Sequence, residues 1–205
     1  AKEYNLYVIE DCAHKHVGEW NGKKAGSIGD VGSFSFQLSK HLTAGEGGVV
    51  TTNNFELAEK LDALRNCGRR PEGMNADEEV DKGAGLYSDQ GNFYQGGNFR
   101  MTEFQAAILV EGLKRMPEQN ATRDANGMYL NSLLTNIPGV QPMKRDKRET
   151  KEAYFNFAFR YNKDEFKGLP VQKFREALTA EIGIQVSASY EPLNKCSLYQ
   201  PHTKP

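Results

Sequence analysis

The residues whose types and spacing can do chemistry are an aspartate and a lysine, each just beyond a short run of β-forming residues. Asp11 follows Leu6-Tyr7-Val8-Ile9, and Lys40 follows the run Val31 to Phe36, with Ser35 five residues before it. Strand ends in open α/β sheets face the crevice where ligands bind. An acid and an amine meeting there suit pyridoxal 5'-phosphate (PLP). The amine condenses with the aldehyde, and the carboxylate keeps the pyridine nitrogen protonated so that the ring accepts electrons. A serine hydroxyl and backbone amides can hold the phosphate without adding charge.

The elements that must position these groups are legible in outline. Strands are predicted over Leu6–Ile9, Val31–Phe36 and Val49–Thr52, joined by glycine-rich turns that include Gly45-Glu46-Gly47-Gly48. Leu57, Leu61 and Leu64 recur at helical spacing between the N-cap Asn54 and Gly68. Residues 69–97 lack periodicity and read as a long loop. Thr102-x-x-Gln105 is a capping box opening a helix that is expected to stop before Pro117, with a second helix over residues 118–135. Tyr154 to Tyr161 reads as a half-buried strand whose aromatics pack, Pro170 to Ile182 as a helix ended by Gly183, and Ile184 to Ser189 as a last strand. The stretch Lys144 to Lys151 reads as a solvated loop. The picture is an α/β part over residues 1–101 followed by a smaller α+β part over residues 102–205.

Composition narrows the partners. The 205 residues carry 26 basic and 27 acidic side chains, so no net charge draws the chain to nucleic acid or to an anionic membrane. No apolar run reaches the roughly 20 residues that span a bilayer. Cys12, Cys67 and Cys196 form no C-x-x-C pair, which argues against zinc-ribbon and thioredoxin-like sites. No metal site is expected, and free thiols fit a reducing cytoplasm. Cys12 beside Asp11 reads as a small buried residue rather than a nucleophile.

Several ordered segments together closely resemble the DegT/DnrJ/EryC1/StrS aminotransferases. They are Ile9-Glu10-Asp11-Cys12-Ala13-His14, Gly26-Ser27-x-Gly29-Asp30, Phe34-Ser35-Phe36-x-x-x-Lys40, Gly45-Glu46-Gly47-Gly48 and Gly97-Asn98-Phe99-Arg100-Met101-Thr102-Glu103-Phe104-Gln105-Ala106-Ala107. Ordered motifs at matching spacing are far more specific than a single glycine signature. The resemblance implies a fold-type-I PLP enzyme: part of a large domain with a mixed, mostly parallel sheet, then part of a small domain. It implies that Asp11 pairs with the pyridine nitrogen, His14 lies beside the ring, Ser35 binds the phosphate, and Lys40 is the Schiff-base lysine and proton shuttle. Asn98 would reach the phosphate of a partner subunit's cofactor in a homodimer with shared active sites. Read without the resemblance, Lys40 is a surface lysine, Asp11 a strand-end cap, His14 a structural histidine, and Asn98 and Arg100 caps of the helix near Thr102. His16, His41 and His202 carry no assigned role.

The implied reaction passes an amine from L-glutamate or L-glutamine to PLP and then to a keto-sugar or keto-cyclitol. Tyr190-Glu191-Pro192-Leu193-Asn194-x-Cys196-Ser197-Leu198-Tyr199 is more similar to the glutamine-dependent scyllo-inosose branch than to the nucleotide-sugar branch. Two alternatives share the fold: a PLP-dependent sugar dehydratase, against which Lys40 argues because those relatives carry histidine there, and a non-catalytic paralogue. Family members have a long N-terminal part before the strand at Leu6, so the chain is expected to be a fragment lacking part of the cofactor cradle.

Overall fold

The computed structural model describes residues 1–69 and 94–196. In chain order the elements are β1 (Ile9–Asp11), β2 (Glu19–Trp20), β3 (Lys23–Lys24), β4 (Val31–Ser35), β5 (Gly48–Thr51), α1 (Phe55–Arg65), α2 (Glu103–Leu134), β6 (Val140–Pro142), β7 (Glu149–Lys151), β8 (Phe159–Tyr161) and α3 (Val171–Ile182). They divide into two compact units. One comprises Ala1–Leu133 with Lys144–Ala158, the other Leu134–Met143 with the chain from Phe159 onward. Most of the loop expected over residues 69–97 lies outside the described residues.

The first unit is built on a mixed sheet of order β1-β4-β5. Strands β1 and β4 are parallel, with Asp11 opposite Ser33, while β4 and β5 are antiparallel. The three predicted strands are therefore neighbours. The first is shifted along the chain, because the Val8 N–H donates to the Asp30 carboxylate at 2.7 Å and the Val8 carbonyl accepts from Asp30 and Val31. Regular pairing begins only at Ile9.

Behind the sheet, Phe36, Leu42, Leu109 and Met116 form the core, with Val17, Ala44 and Met101 packed on it. The loop from Phe36 to Gly47 closes on itself. The Phe36 carbonyl accepts from the Thr43 hydroxyl at 2.9 Å and from the Ala44 amide at 3.0 Å, and the Phe36 amide donates to the Gly47 carbonyl at 2.8 Å. A second small sheet, order β3-β2-β7, uses the two-residue turn Asn21-Gly22, both at positive φ. Strand β7 lies inside the stretch read as a solvated loop, a correction: Glu149 to Lys151 pairs with β2, and Lys151 meets Glu19 at 3.0 Å.

Helix α1 begins as predicted, Asn54 accepting from the Leu57 amide at 3.1 Å. Helix α2 opens with the reciprocal Thr102–Gln105 bonds of a capping box. The Gln105 side chain also donates to the Glu46 carbonyl at 2.8 Å, tying the helix to the Gly-Glu-Gly-Gly turn. The expected break at Pro117 does not occur. Proline inside a helix costs about 3 kcal/mol, but Met116 and Asn120, on either side of it, are 1% and 2% exposed, and their packing keeps the helix continuous.

In the second unit β6 and β8 pair antiparallel. Phe174 of α3 meets Tyr161 at 4.3 Å between ring centroids and Phe166 at 5.3 Å. Gly183 ends α3 at φ 68°. Two expected strands are corrected. Of residues 154–161 only β8 is extended and paired, because Tyr154 sits at φ 46° and turns the chain. Residues 184–189 form no strand: the Val186 amide donates to the Thr179 hydroxyl and its carbonyl accepts from Arg175, leaving no ladder to join.

Candidate active site

Because β1 and β4 run parallel in register, their C-terminal ends lie at one edge of the sheet, and both predicted chemical groups emerge there. The Cys12 amide donates to the Ser33 carbonyl at 2.8 Å, extending the ladder one residue past Asp11. The Asp11 carboxylate is exposed and accepts the Ala13 amide at 3.1 Å, so most of its acceptor capacity is open. Lys40 sits in the turn after β4, its amide donating to the Gln37 carbonyl.

The lysine amine and His14 meet at one aromatic ring. His14 stacks on Phe155 with centroids 3.9 Å apart and planes 13° from parallel. Lys40 Nζ lies 4.9 Å from the centroid of the same ring, and the His41 ring 5.4 Å. Burial pushes His14 below the ordinary imidazole range; the Lys40 ammonium pushes the same way, and Asp11 pulls back. Burial also depresses His41, to about 4, with Arg123 and the neighbouring histidines adding to it. His16, 4% exposed, is lowered by burial first, against a hydrogen bond to the Ser35 backbone. All three imidazoles are thus shifted toward their neutral form. His16 Nε2 and His41 Nδ1 are buried and have no hydrogen-bond partner among the described residues.

Ser35 ends β4 half-buried, its hydroxyl accepting the Gln37 amide at 3.3 Å. Asn98 belongs to a different neighbourhood. It bridges to Asn66 at the end of α1, and its side chain accepts the Arg100 amide at 3.4 Å, while the Arg100 guanidinium binds Asn66. Asp11, His14 and Lys40 come together. Asn98 stands apart and exposed within this chain.

Sequence reasoning missed three participants. Glu10, next to Asp11, accepts amides from Gly26, Ile28 and Gly29 at 2.9, 2.7 and 2.7 Å. Burial alone would raise its pKa, but the three donors hold it below the ordinary carboxylate value. The signal was the glycine-rich loop itself, whose amides need an acceptor. Lys15 pairs with Glu149 and Glu152, and Phe155 bears on His14 and Lys40; neither has a local pattern to announce it. Cys12 is 2% exposed, and burial, then the Glu10 and Asp11 charges, push its thiol up to about 11, which makes it inert.

The donor set fits PLP. An open carboxylate, an amine that makes no ion pair among the described residues, and an imidazole lowered below its ordinary range lie together beyond the strand ends, as the pyridine nitrogen, aldehyde carbon and ring edge of that cofactor require. Among the described residues no group of three acidic, cysteine or histidine side chains is placed to hold a metal, and no helix is long and apolar enough to cross a membrane.

Comparison with known proteins places the chain in a family. The chain is 42% identical over its whole length to an L-glutamine:2-deoxy-scyllo-inosose aminotransferase of Streptoalloteichus tenebrarius, covering 47% of that protein. It is 37% identical to the protein of the same name from Streptomyces kanamyceticus, covering all of this chain and 46% of the relative. The chain therefore spans about half the length of the curated relatives it matches. Among solved structures it superposes on DesV of S. venezuelae with a TM-score of 0.79 at 28% identity, covering 100% of this chain and 49% of that one. A DegT DnrJ EryC1 StrS aminotransferase from Brucella abortus gives 0.75 at 26%, covering 97% and 47%. The fold is that of the fold-type-I aminotransferases. The family profile matches residues 1–205 throughout, and the chain belongs to the DegT/DnrJ/EryC1/StrS aminotransferase family.

Proposed function

We propose that the whole protein is a PLP-dependent aminotransferase that moves an amino group from L-glutamine, or L-glutamate, to a keto-cyclitol of the scyllo-inosose type. The observation that carries the reading is the convergence of Asp11, His14 and Lys40 beyond the C-terminal ends of two parallel strands. The names of these relatives supply the donor and acceptor classes. PLP, when bound, supplies an electron sink and a carrier for the amine. The protein's part is to hold and protonate. With PLP bound, Lys40 would be the amine that holds the cofactor through its aldehyde, and its free Nζ would be the base that takes a proton from the donor's α-carbon and returns it to the cofactor side. The Asp11 carboxylate would keep the pyridine nitrogen protonated. His14 would lie beside the ring, and the Ser35 hydroxyl would donate to a phosphate oxygen.

Asn98, held by Asn66 and exposed, is the residue we assign to the cofactor phosphate of a second subunit, in a homodimer with shared sites. Residues 1–101 then form part of the large domain and 102–205 part of the small one. Three free cysteines suit a reducing, cytoplasmic setting. The test is borohydride reduction of the PLP-loaded full-length protein followed by peptide mass spectrometry. The phosphopyridoxyl group is expected on Lys40; its appearance on Lys23 or Lys24 instead overturns the assignment.

A further inference from the structure

The ring shared by His14, His41 and Lys40 comes from a segment far away in sequence, and that segment is built to present it. Ala153 is fully buried. The Glu152 carboxylate accepts the amides of Ala153 at 2.9 Å and Tyr154 at 3.2 Å, and the Glu152 carbonyl faces the Asn120 side chain at 3.4 Å. The same carboxylate pairs with Lys15, the residue after His14, so the turn and the Asp11–His16 loop are fastened to each other. Tyr154 holds φ 46°, a conformation that a bulky residue keeps only where its surroundings impose it. Its ring lies on helix α2 at Gly127, where a Cβ would come within 2.5 Å of it. This left-handed turn takes the chain out of strand geometry and delivers Phe155 to the site.

We propose that Phe155 is a positioning residue for the aminotransferase site, its ring fixing the plane of His14 and covering the amine of Lys40. The proposal rests on the reading of Lys40 and His14 as cofactor residues. A parallel stack at 3.9 Å leaves the imidazole little freedom to turn about its plane, so its nitrogens keep their aim. The ring face near Nζ attracts the ammonium and excludes water from one side of it. The charged and titratable groups facing His14 are Asp11 from the end of β1, Lys40 and His41 from the loop after β4, and His16 from its own loop, with Arg123 of α2 acting on His41.

The experiment uses the full-length protein as Phe155→Ala, Phe155→Leu and Phe155→Tyr. The first readout is the imidazole titration of His14 by NMR in the protein freed of PLP, assigned with His14→Gln. The wild type should titrate below the ordinary histidine value; Phe155→Ala should move the midpoint upward as water reaches the ring, and Phe155→Tyr should restore it. The second readout is the donor half-reaction of the loaded enzyme. There kcat should fall about tenfold or more in the Ala and Leu variants with KM nearly unchanged, and Tyr should recover it. Unaltered His14 titration in Phe155→Ala, or a Tyr variant as impaired as Ala, overturns the proposal. A wild-type protein that takes up no PLP refutes the functional reading instead, and the titration still judges Phe155.

Discussion

Lys15→Met tests the fastening between the Asp11–His16 loop and the turn that carries Phe155. Lys15 Nζ lies 3.2 Å from Glu149 and pairs more closely with Glu152. Methionine keeps most of the apolar stem and removes only the charge. A hydrogen bond to a charged group contributes about 1.5–3 kcal/mol. The Lys15 side chain is 39% exposed, so solvent screening brings the expected loss to roughly 1–2 kcal/mol. Glu152, 16% exposed, keeps the amides of Ala153 and Tyr154 in the variant, which prevents a larger penalty.

The pH dependence has a definite sign. Burial works against the Glu152 charge, but the Lys15 ammonium and the Tyr154 amide hold its pKa below the ordinary 4.5. A carboxylate depressed in the folded state adds stability above its unfolded pKa and loses it as pH falls through the folded one. The gap between wild type and Lys15→Met should therefore be full at neutral pH and close below pH 4.5. Lys15 is shifted the opposite way, upward by the two glutamates against the pull of burial, so its contribution fades only above the ordinary 10.5. Urea unfolding of the full-length proteins at about pH 7 and about pH 3.5, with Glu152→Gln completing a double-mutant cycle, measures the coupling. A variant as stable as wild type at neutral pH, or a gap that persists unchanged in acid, refutes the reasoning.

Asp11→Asn in the full-length enzyme should lower turnover by about 10²–10³-fold while stability stays within about 0.5 kcal/mol, since Asp11 is exposed and an amide oxygen can still accept the Ala13 N–H; steady-state kinetics and thermal unfolding decide it, and turnover near wild type rejects the pyridine role. A thiol reagent at mildly alkaline pH should leave Cys12 unmodified until denaturant is added, because its pKa of about 11 and its burial both suppress the thiolate; peptide mapping that finds Cys12 labelled in the native protein contradicts this.

How much of this was legible in the sequence depends on how locally each feature is determined. Asp11 and Lys40 could be picked out because each follows a β-rich run, and the parallel register of β1 and β4 brings their ends together. Helix α1, its Asn54 cap and the Thr102–Gln105 box are set by neighbours a few residues apart and were read correctly. The failures are tertiary. Nothing local says that α2 passes Pro117, because burial of Met116 and Asn120 decides it. The alternation at 154–161 looks like a strand, yet Glu152 and Gly127 bend it at Tyr154. Residues 184–189 have strand composition and no ladder, their polar groups being taken by α3. Phe155 belongs to the site through contacts that no sequence window spans.

The two adjacent acids at the end of β1 show how position, rather than charge, divides labour. Successive side chains of a strand point to opposite faces, so Glu10 turns to the glycine loop and Asp11 away from it. Glu10 has the reach to meet three amides and is saturated by them; Asp11 keeps its oxygens open. Exchanging the two letters, as Glu10→Asp with Asp11→Glu, would conserve net charge, composition and strand propensity almost perfectly. It would nonetheless leave one carboxylate a methylene short of its donors and push the other a methylene too far into the space we assign to the cofactor. In a bulk measure the swapped protein is indistinguishable from its parent, and yet the scaffold and the chemistry would be impaired together, each by the length of a single carbon–carbon bond.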